Sequence, residues 1–461
     1  MMLPSGIVRA TYKVTIYMNG GNLSVTLASG TELTSTNVLD SLNFSAKLSG
    51  TNQNPVGVLS ANTLSLNITS KDLSLDPTNQ SSPYYGYMNT SAWAVVSIID
   101  DQSNETKLGT FYVDTWQPNI TDSTPFSIQI EFVDLISVIC KMPVPFVEVT
   151  FNMTLLDYVI AVLNALNETN DPQYHINFNP ADITFGEWSN FYYEQLDTSN
   201  MSNMLNTLSQ CTLTNIYVDA NNNFRTDYLC DDSTSEVVME IDGATNTYEA
   251  SLAPGAFIGY HDVQVTYIPR VLTGIESLAQ QSDITIQPGD NIISKIGLGE
   301  HASVISSIEI ATDDLKLVYI SKIMYNKDYV SLVIHSDELS DFNANIYING
   351  VAAKTNTKVY ENAESTASTL EMKNTILDET DIQLFVNKLK QLLTLKEKDI
   401  SLKGIYNPKL TLGNLVHVVL SGNLNTSGYY KVKTINLGLS SGGLTYSLDL
   451  AGTLIVPNEE G

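Results

Sequence analysis

The last fifty residues of the chain carry the pattern that most restricts its fold. Three segments there are rich in alternating apolar residues: LTLGNLVHVVL (410–420), YYKVKTINLGL (429–439) and LTYSLDLAGTL (444–454). The connectors between them are rich in Gly, Asn and Ser, which enter tight turns at little steric cost. The pattern predicts a three-stranded antiparallel meander at the end of the chain.

Strict alternation also assigns faces within the middle segment. In a pleated strand, successive side chains point to opposite sides of the sheet. The prediction is therefore that Tyr430 and Val432 share a face with Thr434, whereas Ile435 and Leu437 lie on the other face.

Length and composition bound the remaining possibilities. A chain of 461 residues that is 43% hydrophobic can bury more than one core, and two to four domains are expected. No apolar run approaches the roughly 18 residues that a membrane helix needs, and the N-terminus lacks the features of a secretory signal. Cys140, Cys211 and Cys230 have no metal-ligand spacing, which predicts reduced, buried thiols in a protein made in a cytoplasm.

The net charge of −27 argues against a nucleic-acid-binding surface, which requires clustered Lys and Arg. The charge is uneven, since residues 151–372 contain 8 Lys or Arg and 30 Asp or Glu, a net charge of −22. Two interpretations are open: a solvated surface that keeps the protein soluble, or an acidic wall past which DNA slides without binding.

The first 140 residues predict strands without a convincing helix. An Asn19-Gly20 turn between alternating segments indicates a hairpin, and further short strands follow. They are predicted at 41–48, 63–70, 92–100, 108–116 and 126–133. This succession of short strands predicts an antiparallel β-barrel or sandwich.

The pattern changes after Pro145. Thr154 and Asp157 predict an N-cap and an acidic first turn, followed by apolar residues at helical spacing to Leu166. A second helix is predicted at 199–208, and strands at 216–220 and 224–229. These elements indicate an α+β module.

From about residue 248 the chain returns to strands, predicted at 261–267, 304–310, 315–324, 329–335 and 345–348. One amphipathic helix at 378–396 is predicted to pack on a neighbouring sheet. The fold class is thus mainly β with minor α. We expect a first β-domain at 1–145, an α+β insert at 146–244, and a second β-domain at 245–461 that includes the helix.

No residue is predicted to be catalytic, to bind a cofactor or to ligate a metal, and the chain is not predicted to be an enzyme. Ser440 matches the letters of a GxSxG nucleophile elbow but lies between two strands, where that motif does not function. The Gly-rich text at Gly297 and Gly299 lacks a phosphate-loop pattern, and the acidic doublets are expected on turns. The five histidines form no metal-ligand pattern and are predicted to be structural or surface residues: His175, His261, His301, His335 and His417.

Three pairs of segments suggest a family. The first is LSLNITSKDLSLDPTNQSSPYYGYM (64–88) with LGTFYVDTWQP (108–118), and the second is VDLISVICKMPVP (133–145) with TLLDYVIAVLNAL (154–166). The third is the helix predicted at 378–396, joined through DISLKGIYNPKLTLGNLVHVVL (399–420) to the closing meander. In order and texture they resemble tail or baseplate hub proteins of tailed bacteriophages, including contractile-tail hubs and the N-terminal hub region of tail-associated lysins.

The resemblance implies a homotrimer in which each chain supplies two tail-tube-like β-barrels, at about 1–145 and 245–456. Six barrels would then adapt a hexameric tail tube to the distal tip or spike and let DNA pass. Each barrel's edge strands would be covered by neighbouring barrels. The insert would lie on the periphery or distally.

The implied partners are tail-tube or distal tail proteins, spike, fibre or tip proteins, and the tape measure protein as a further candidate. The implied location is the distal tip of the virion tail, after synthesis in the host bacterial cytoplasm. We also hypothesise that part of the −22 charge lines the trimer's channel. Lytic activity is expected on another polypeptide.

Two other functions remain open. Trp93, Trp116 and Trp188, with many tyrosines, could form sugar-stacking platforms of a carbohydrate-binding tail adhesin. A cell-wall hydrolase is the other alternative, although no catalytic motif stands in a fitting structural context.

Overall fold

The computed structural model confirms the mainly β class, since 54% of residues lie in strands and 14% in helices. It describes residues 11–28, 36–48, 56–57, 59–100, 103–119, 127–147, 153–186, 188, 196, 198–230, 236–242, 247–325, 327–361, 368–377, 379–395, 399–404, 407, 410–421, 426–440 and 443–454.

The described strands are β1 (Thr11–Met18), β2 (Leu23–Ala28), β3 (Asn37–Lys47), β4 (Thr63–Ser70), β5 (Trp93–Ile99), β6 (Glu105–Asn119), β7 (Ser127–Val133), β8 (Thr214–Val218), β9 (Phe224–Tyr228), β10 (Met239–Asp242), β11 (Thr247–Ala253), β12 (Asp262–Tyr267), β13 (Arg270–Ile286), β14 (Gly289–Gly297), β15 (Ala302–Ala311), β16 (Val318–Tyr325), β17 (Tyr329–Ser336), β18 (Phe342–Thr355), β19 (Lys358–Glu361), β20 (Thr369–Asn374), β21 (Asp399–Gly404), β22 (Leu415–Leu420), β23 (Thr426–Ser440) and β24 (Gly443–Gly452). The helices are α1 (Leu135–Ile139), α2 (Leu155–Thr169), α3 (Met201–Cys211) and α4 (Ile382–Leu392), with 3-10 turns at Asn19–Gly21, Pro172–Tyr174 and Pro180–Asp182.

The N-terminal strands form an antiparallel β-body in the order β3-β4-β7-β6-β5-β1-β2. All five strands predicted after the hairpin are present, with ends shifted by a few residues. Cα atoms of β2 also come within 8 Å of β3, so the seven strands surround a common interior. Every strand contributes buried apolar side chains to that interior, for example Tyr12, Phe44, Leu66 and Phe132.

The closing meander is confirmed, because β22 pairs antiparallel with β23 and β23 pairs antiparallel with β24. The sheet continues from β24 to β21 and then to β11, while β10 pairs parallel with β22. This second β-body therefore combines residues 239–253 with the last fifty residues described.

The predicted faces of the middle strand are wrong beyond Val432. The register of β23 against β24 shifts between Val432 and Thr434, which is a β-bulge. Because the extra residue Lys433 turns the strand over, Ile435 and Leu437 lie in the same core as Val432. A one-residue shift exchanges the two faces of a strand, and strict alternation cannot anticipate it.

The two β-bodies are parts of one 13-stranded sheet, which the sequence did not suggest. Residues 434–439 of β23 pair antiparallel with residues 42–47 of β3. The buried side chains of both bodies accordingly form one continuous cluster, from Tyr12 to Leu450.

A second core contains the helices. Thr154 caps α2 in the predicted capping box with Asp157, and buried residues of α2 and α3 pack with the β8–β9 hairpin. Helix α4 packs against β12, as predicted for a helix with a single apolar stripe, and buries Phe385 and Leu389 in the same core. None of the described helices is long and apolar enough to cross a membrane.

A third core lies inside the predicted second β-domain. Two three-stranded sheets, β13-β18-β15 and β14-β17-β16, enclose it. Their inward residues include Ile286, Ile346, Leu332 and Ile334. Residues 270–355 thus form a β-sandwich module with its own interior. The boundaries 1–145, 146–244 and 245–461 stay predictions.

Candidate functional site

Strand β23 is the residue-level link between the two β-bodies. Its first part pairs with β22, and its last part pairs with β3. Between these segments, the Gly413 amide donates to the Val432 carbonyl at 2.9 Å and the Leu48 amide donates to the Lys433 carbonyl at 2.6 Å. The backbone of β23 therefore passes from one body to the other without a break in hydrogen bonding, and the bulge at Lys433 marks the crossing.

A partly buried ion pair joins the insert to this crossing. Lys431 Nζ lies 2.5 Å from Asp227 Oδ1 on β9, and both side chains are less than one fifth exposed. The side-chain amide of Asn215 donates to Asp227 Oδ2 at 3.2 Å. Burial raises the pKa of nearby Tyr217, whose hydroxyl donates to the Leu412 carbonyl. The insert is thus positioned against β23 by paired, desolvated groups.

The strands β11-β21-β24-β23-β3-β4-β7-β6 run side by side as one eight-stranded section of the sheet. The face of this section opposite the core is lined mainly by hydroxyl and amide side chains, and we name it the polar face. Its residues are Glu249, Ser251, Asp399, Ser401, Lys403, Thr445, Ser447, Asp449, Asn436, Asn43, Ser45, Lys47, Thr63, Ser65, Asn67, Thr69, Thr115, Gln117, Ser127, Gln129 and Glu131.

Hydrogen bonds cross the polar face from strand to strand. Ser45 donates to Asn436 at 2.7 Å across the β3–β23 joint, and Asn436 contacts Ser447 on β24 at 3.2 Å. Ser65 donates to Glu131 at 2.9 Å. These cross-strand contacts hold the two bodies in register on the side away from the core.

Two of the lysines on or beside the polar face are held by carboxylates, whereas exposed Lys47 on β3 has no ion pair among the described residues. Lys433 Nζ lies 3.1 Å from Asp399, and Lys403 Nζ lies 3.1 Å from Glu249. Burial raises the pKa of Asp399, an effect that Lys433 opposes. Of the acids in residues 151–372, Glu249 is the one that we place on this face among the described residues. Most of the −22 charge in the described part of the chain therefore lies elsewhere.

The eight-stranded section has an open strand edge at each end. Strand β11 pairs with β21 on one side, and no described strand pairs with its other side. Strand β5 reaches no further than Tyr112, and the Val113 amide donates to the Ala92 carbonyl, so residues 114–119 of β6 have described pairing only with β7. Within the described chain, both edges offer backbone groups for pairing with another chain.

A buried carboxyl joins the first β-body to the insert. Asp134 accepts from the Asn62 amide at 2.7 Å and from the Ser137 amide at 3.1 Å, and so caps α1. Asn62 in turn contacts the Val218 carbonyl of β8 at 3.4 Å. Burial raises the pKa of Asp134 to about 7, although the amides of Asn62 and Ser137 oppose the shift.

This raised pKa predicts a pH-dependent stability. Between about pH 4 and pH 7 the folded chain keeps the Asp134 proton that the unfolded chain releases, so the free energy of unfolding falls as pH rises. We expect the wild type to lose about 2 kcal/mol relative to Asp134→Asn between pH 5 and pH 7. Urea denaturation of both proteins across this range measures the effect. If the free energies of unfolding of the two proteins changed in parallel with pH, Asp134 would be ionised in the folded protein.

The histidines lie in separate surroundings. His335 contacts Asp290 at 2.6 Å and Asp337 at 3.3 Å, which raises its pKa. His301 contacts Asp328, His417 lies near Glu240, and His175 contacts the Asn170 carbonyl. His261 donates its backbone amide to Ser368. No group of three or more potential metal ligands occurs among the described residues.

The other residues considered from the sequence are also apart. Ser440 pairs with Gly443 in the β23–β24 hairpin, so no helix follows it. Asp231 and Asp232 lie outside the described residues, whereas Asp313 and Asp314 lie on a loop. The cysteines are free, and burial raises the pKa of Cys140 and Cys211 to about 11.

The three tryptophans do not form a sugar-stacking platform together. Trp116 is buried and donates to the Leu75 carbonyl at 3.1 Å. Trp93 stacks on Tyr17, and Trp188 packs on Phe385 of α4. Each ring therefore packs on its own part of the fold.

Sequence reasoning missed the β3–β23 joint and the Lys431–Asp227 pair. Partners separated by 391 residues, such as Ser45 and Asn436, leave no local pattern. The one available signal was the presence of two lysines, at positions 431 and 433, in an otherwise uncharged strand.

No family model matches the chain, and no curated protein matches it. Solved structures align with nearly the whole length of the chain, with TM-scores below 0.5. A tail protein from Neisseria meningitidis has 10% identity and a TM-score of 0.49, covering 96% of each chain. The prophage MuSo2 43 kDa tail protein from Shewanella oneidensis has 11% identity and a TM-score of 0.49, covering 95% of this chain and 98% of that one.

Prophage tail protein gp18 from Listeria monocytogenes has 10% identity and a TM-score of 0.43, covering 95% of this chain and 94% of that one. All three are named as tail proteins, the class that the sequence resembles.

Proposed function

We propose that the protein is a structural subunit of a bacteriophage tail, a hub that forms a homotrimeric ring between the tail tube and the distal tip. Each chain supplies two β-bodies, so three chains present six bodies to a hexameric tube. The ring lets DNA pass and performs no catalysis.

The observation that carries this proposal is the eight-stranded section. It spans both β-bodies in one continuous sheet and, in the described chain, has an open edge at each end, at β11 and at residues 114–119 of β6. A sheet with two open edges is stable against unwanted pairing when copies of itself cover those edges. Three copies joined edge to edge close a ring with no free edge.

The polar face suits the inner wall of such a ring. Hydroxyl and amide groups satisfy one another across strands, and Lys403 and Lys433 are bound to carboxylates. DNA binding depends on free cations that displace counterions from phosphates. Apart from Lys47, which is exposed on β3, the wall presents paired polar groups and therefore gives passing DNA little to bind, without the dense acidic lining that the middle of the sequence suggested.

The proposed location is the virion tail, at its distal tip. The tail tube or a distal tail protein lies on one side of the ring, and spike, fibre or tip proteins lie on the other. The tape measure protein is a further partner within the channel.

Cysteine cross-linking tests the ring. In a Cys140→Ala background, Ser251→Cys places a thiol on β11 and Gln117→Cys places one on β6, both at exposed positions. Neighbouring copies bring the two edges together, so a short bis-maleimide linker is expected to give covalent trimers. Denaturing gels and native mass measure the product.

The matched control replaces Ser251→Cys by Ser24→Cys, an exposed serine on β2. That pair, and each single variant, should give no covalent trimer. A protein that stays monomeric at high concentration, even with tail-tube protein added, would overturn the trimer and favour the adhesin.

A further inference from the structure

The sandwich module at 270–355 exposes an unusual share of apolar side chains. Nine of the fifteen large hydrophobic residues exposed in the described chain lie between Val271 and Leu339. Single exposed hydrophobic residues are ordinary, whereas a cluster on one surface marks a site of interaction.

Five of the module's apolar residues share one surface. In the β14-β17-β16 sheet, Ile292 is opposite Val333, and Tyr319 is opposite His335 with their rings 5.2 Å apart. These side chains point away from the third core, into which Leu332 and Ile334 project.

Two loops extend this surface at one end of the sheet. The Asp337 amide donates to the Leu317 carbonyl at 3.0 Å, and the Leu317 amide donates to the Glu338 carboxylate at 2.8 Å. Leu317 and Leu339 are therefore held close together, 69% and 98% exposed. We name Ile292, Leu317, Tyr319, Val333 and Leu339 the outer apolar face.

Carboxylates frame the outer apolar face. Asp313 and Asp314 precede Leu317 on its loop, and Asp337 and Glu338 precede Leu339. Lys316 lies in the same loop but is held 4.0 Å from Glu338. Lys322, opposite Val333, is a cation on the face itself. At the end with the exposed leucines the four carboxylates outnumber Lys316, so that end is net negative.

We propose that the outer apolar face binds another protein through a segment of apolar side chains flanked by Lys or Arg. Apolar contact supplies affinity, and the acidic frame selects a basic partner and orients it. A second copy of this chain is the weaker candidate, because its own leucine end carries the same net negative charge. The proposal holds whether or not the protein forms the ring.

The test uses a dye-labelled peptide of alternating Leu and Lys with the full-length protein, followed by fluorescence anisotropy. Leu317→Ser/Leu339→Ser should weaken binding about tenfold or more, since it removes two large apolar contacts. Asp313→Asn/Asp314→Asn should weaken binding less and reduce its salt dependence. Ile275→Ser is the matched control, because Ile275 is about as exposed as Leu317 but lies on β13 in the other sheet. The Ile275→Ser variant should bind the peptide as the wild type does.

Three results would overturn the proposal: equal binding of an alternating Leu–Glu peptide, equal binding of oligolysine, or unchanged binding by the double serine variant. Sedimentation supplies a further measurement. Loss of self-association in the double serine variant would show that the face contacts a second copy instead. Circular dichroism confirms folding of each variant, and the charge variant provides a test if the serine variant does not fold.

Discussion

Gly57→Ala should lower the free energy of unfolding by about 3 kcal/mol or more. Gly57 has φ of +66° and lies against the end of α3, where an added Cβ would stand 2.1 Å from the Ser209 carbonyl oxygen and 2.6 Å from the Gln210 Cα. Both obstacles are backbone atoms, so no side-chain rotation relieves them. Overpacking adds to the cost of a left-handed conformation for alanine. Urea denaturation followed by tryptophan fluorescence measures the loss.

Gly86→Ala separates the two causes. Gly86 has φ of +83°, but an added Cβ would meet nothing within 4 Å. The free energy of unfolding of this variant should fall only by the cost of placing alanine at a positive φ, about 1 kcal/mol. Equal losses at the two positions would mean that contact between Gly57 and α3 contributes nothing, and that the insert is not seated there.

Lys431→Met should cost about 3 kcal/mol. The substitution removes the cation from the Asp227 carboxylate, which is less than one fifth exposed. The hydrogen bond from the Asn215 side-chain amide is kept. Breaking a buried pair by removing one partner leaves an uncompensated charge, which is more costly than losing both partners. The Lys431→Met/Asp227→Leu double variant should therefore regain most of the stability, as a double-mutant cycle can measure.

Lys403→Met is the control for that cycle. Lys403 and Glu249 also form an ion pair, at 3.1 Å, but both side chains are more than 60% exposed. Exposed pairs contribute little, so the expected change is below about 0.5 kcal/mol. If Lys403→Met and Lys431→Met behaved alike, the insert would not depend on the crossing for its position.

The sequence anticipated elements whose pattern is local. The capping box at Thr154 and the stripe of α4 follow from side chains three or four residues apart, and both are present. The strands of the first β-body could be predicted because buried residues alternate along them with residues that are at least partly exposed to solvent.

Strand β13 shows where local reasoning fails. It is 17 residues long, yet its pairing with β18 shifts register after Leu272, Ser277 and Gln281. Each shift restarts the alternation, so no window of the sequence shows a clean period of two. The sequence therefore predicted four strands of the sandwich module, at 304–310, 315–324, 329–335 and 345–348, but neither β13 nor β14, and it did not indicate that the module has a core of its own.

The joint between β3 and β23 also has a consequence for synthesis. About 390 residues separate the two strands, as the Ser45–Asn436 contact shows. At 5–20 residues per second, a ribosome needs roughly 20–80 s to make that length. During this interval the nascent N-terminal body lacks the neighbour that β23 supplies, the kind of edge that chaperones and proteases engage. A translation product that stops before Thr434 leaves this edge of β3 unpaired, so an unfinished chain exposes a strand edge that the finished chain covers.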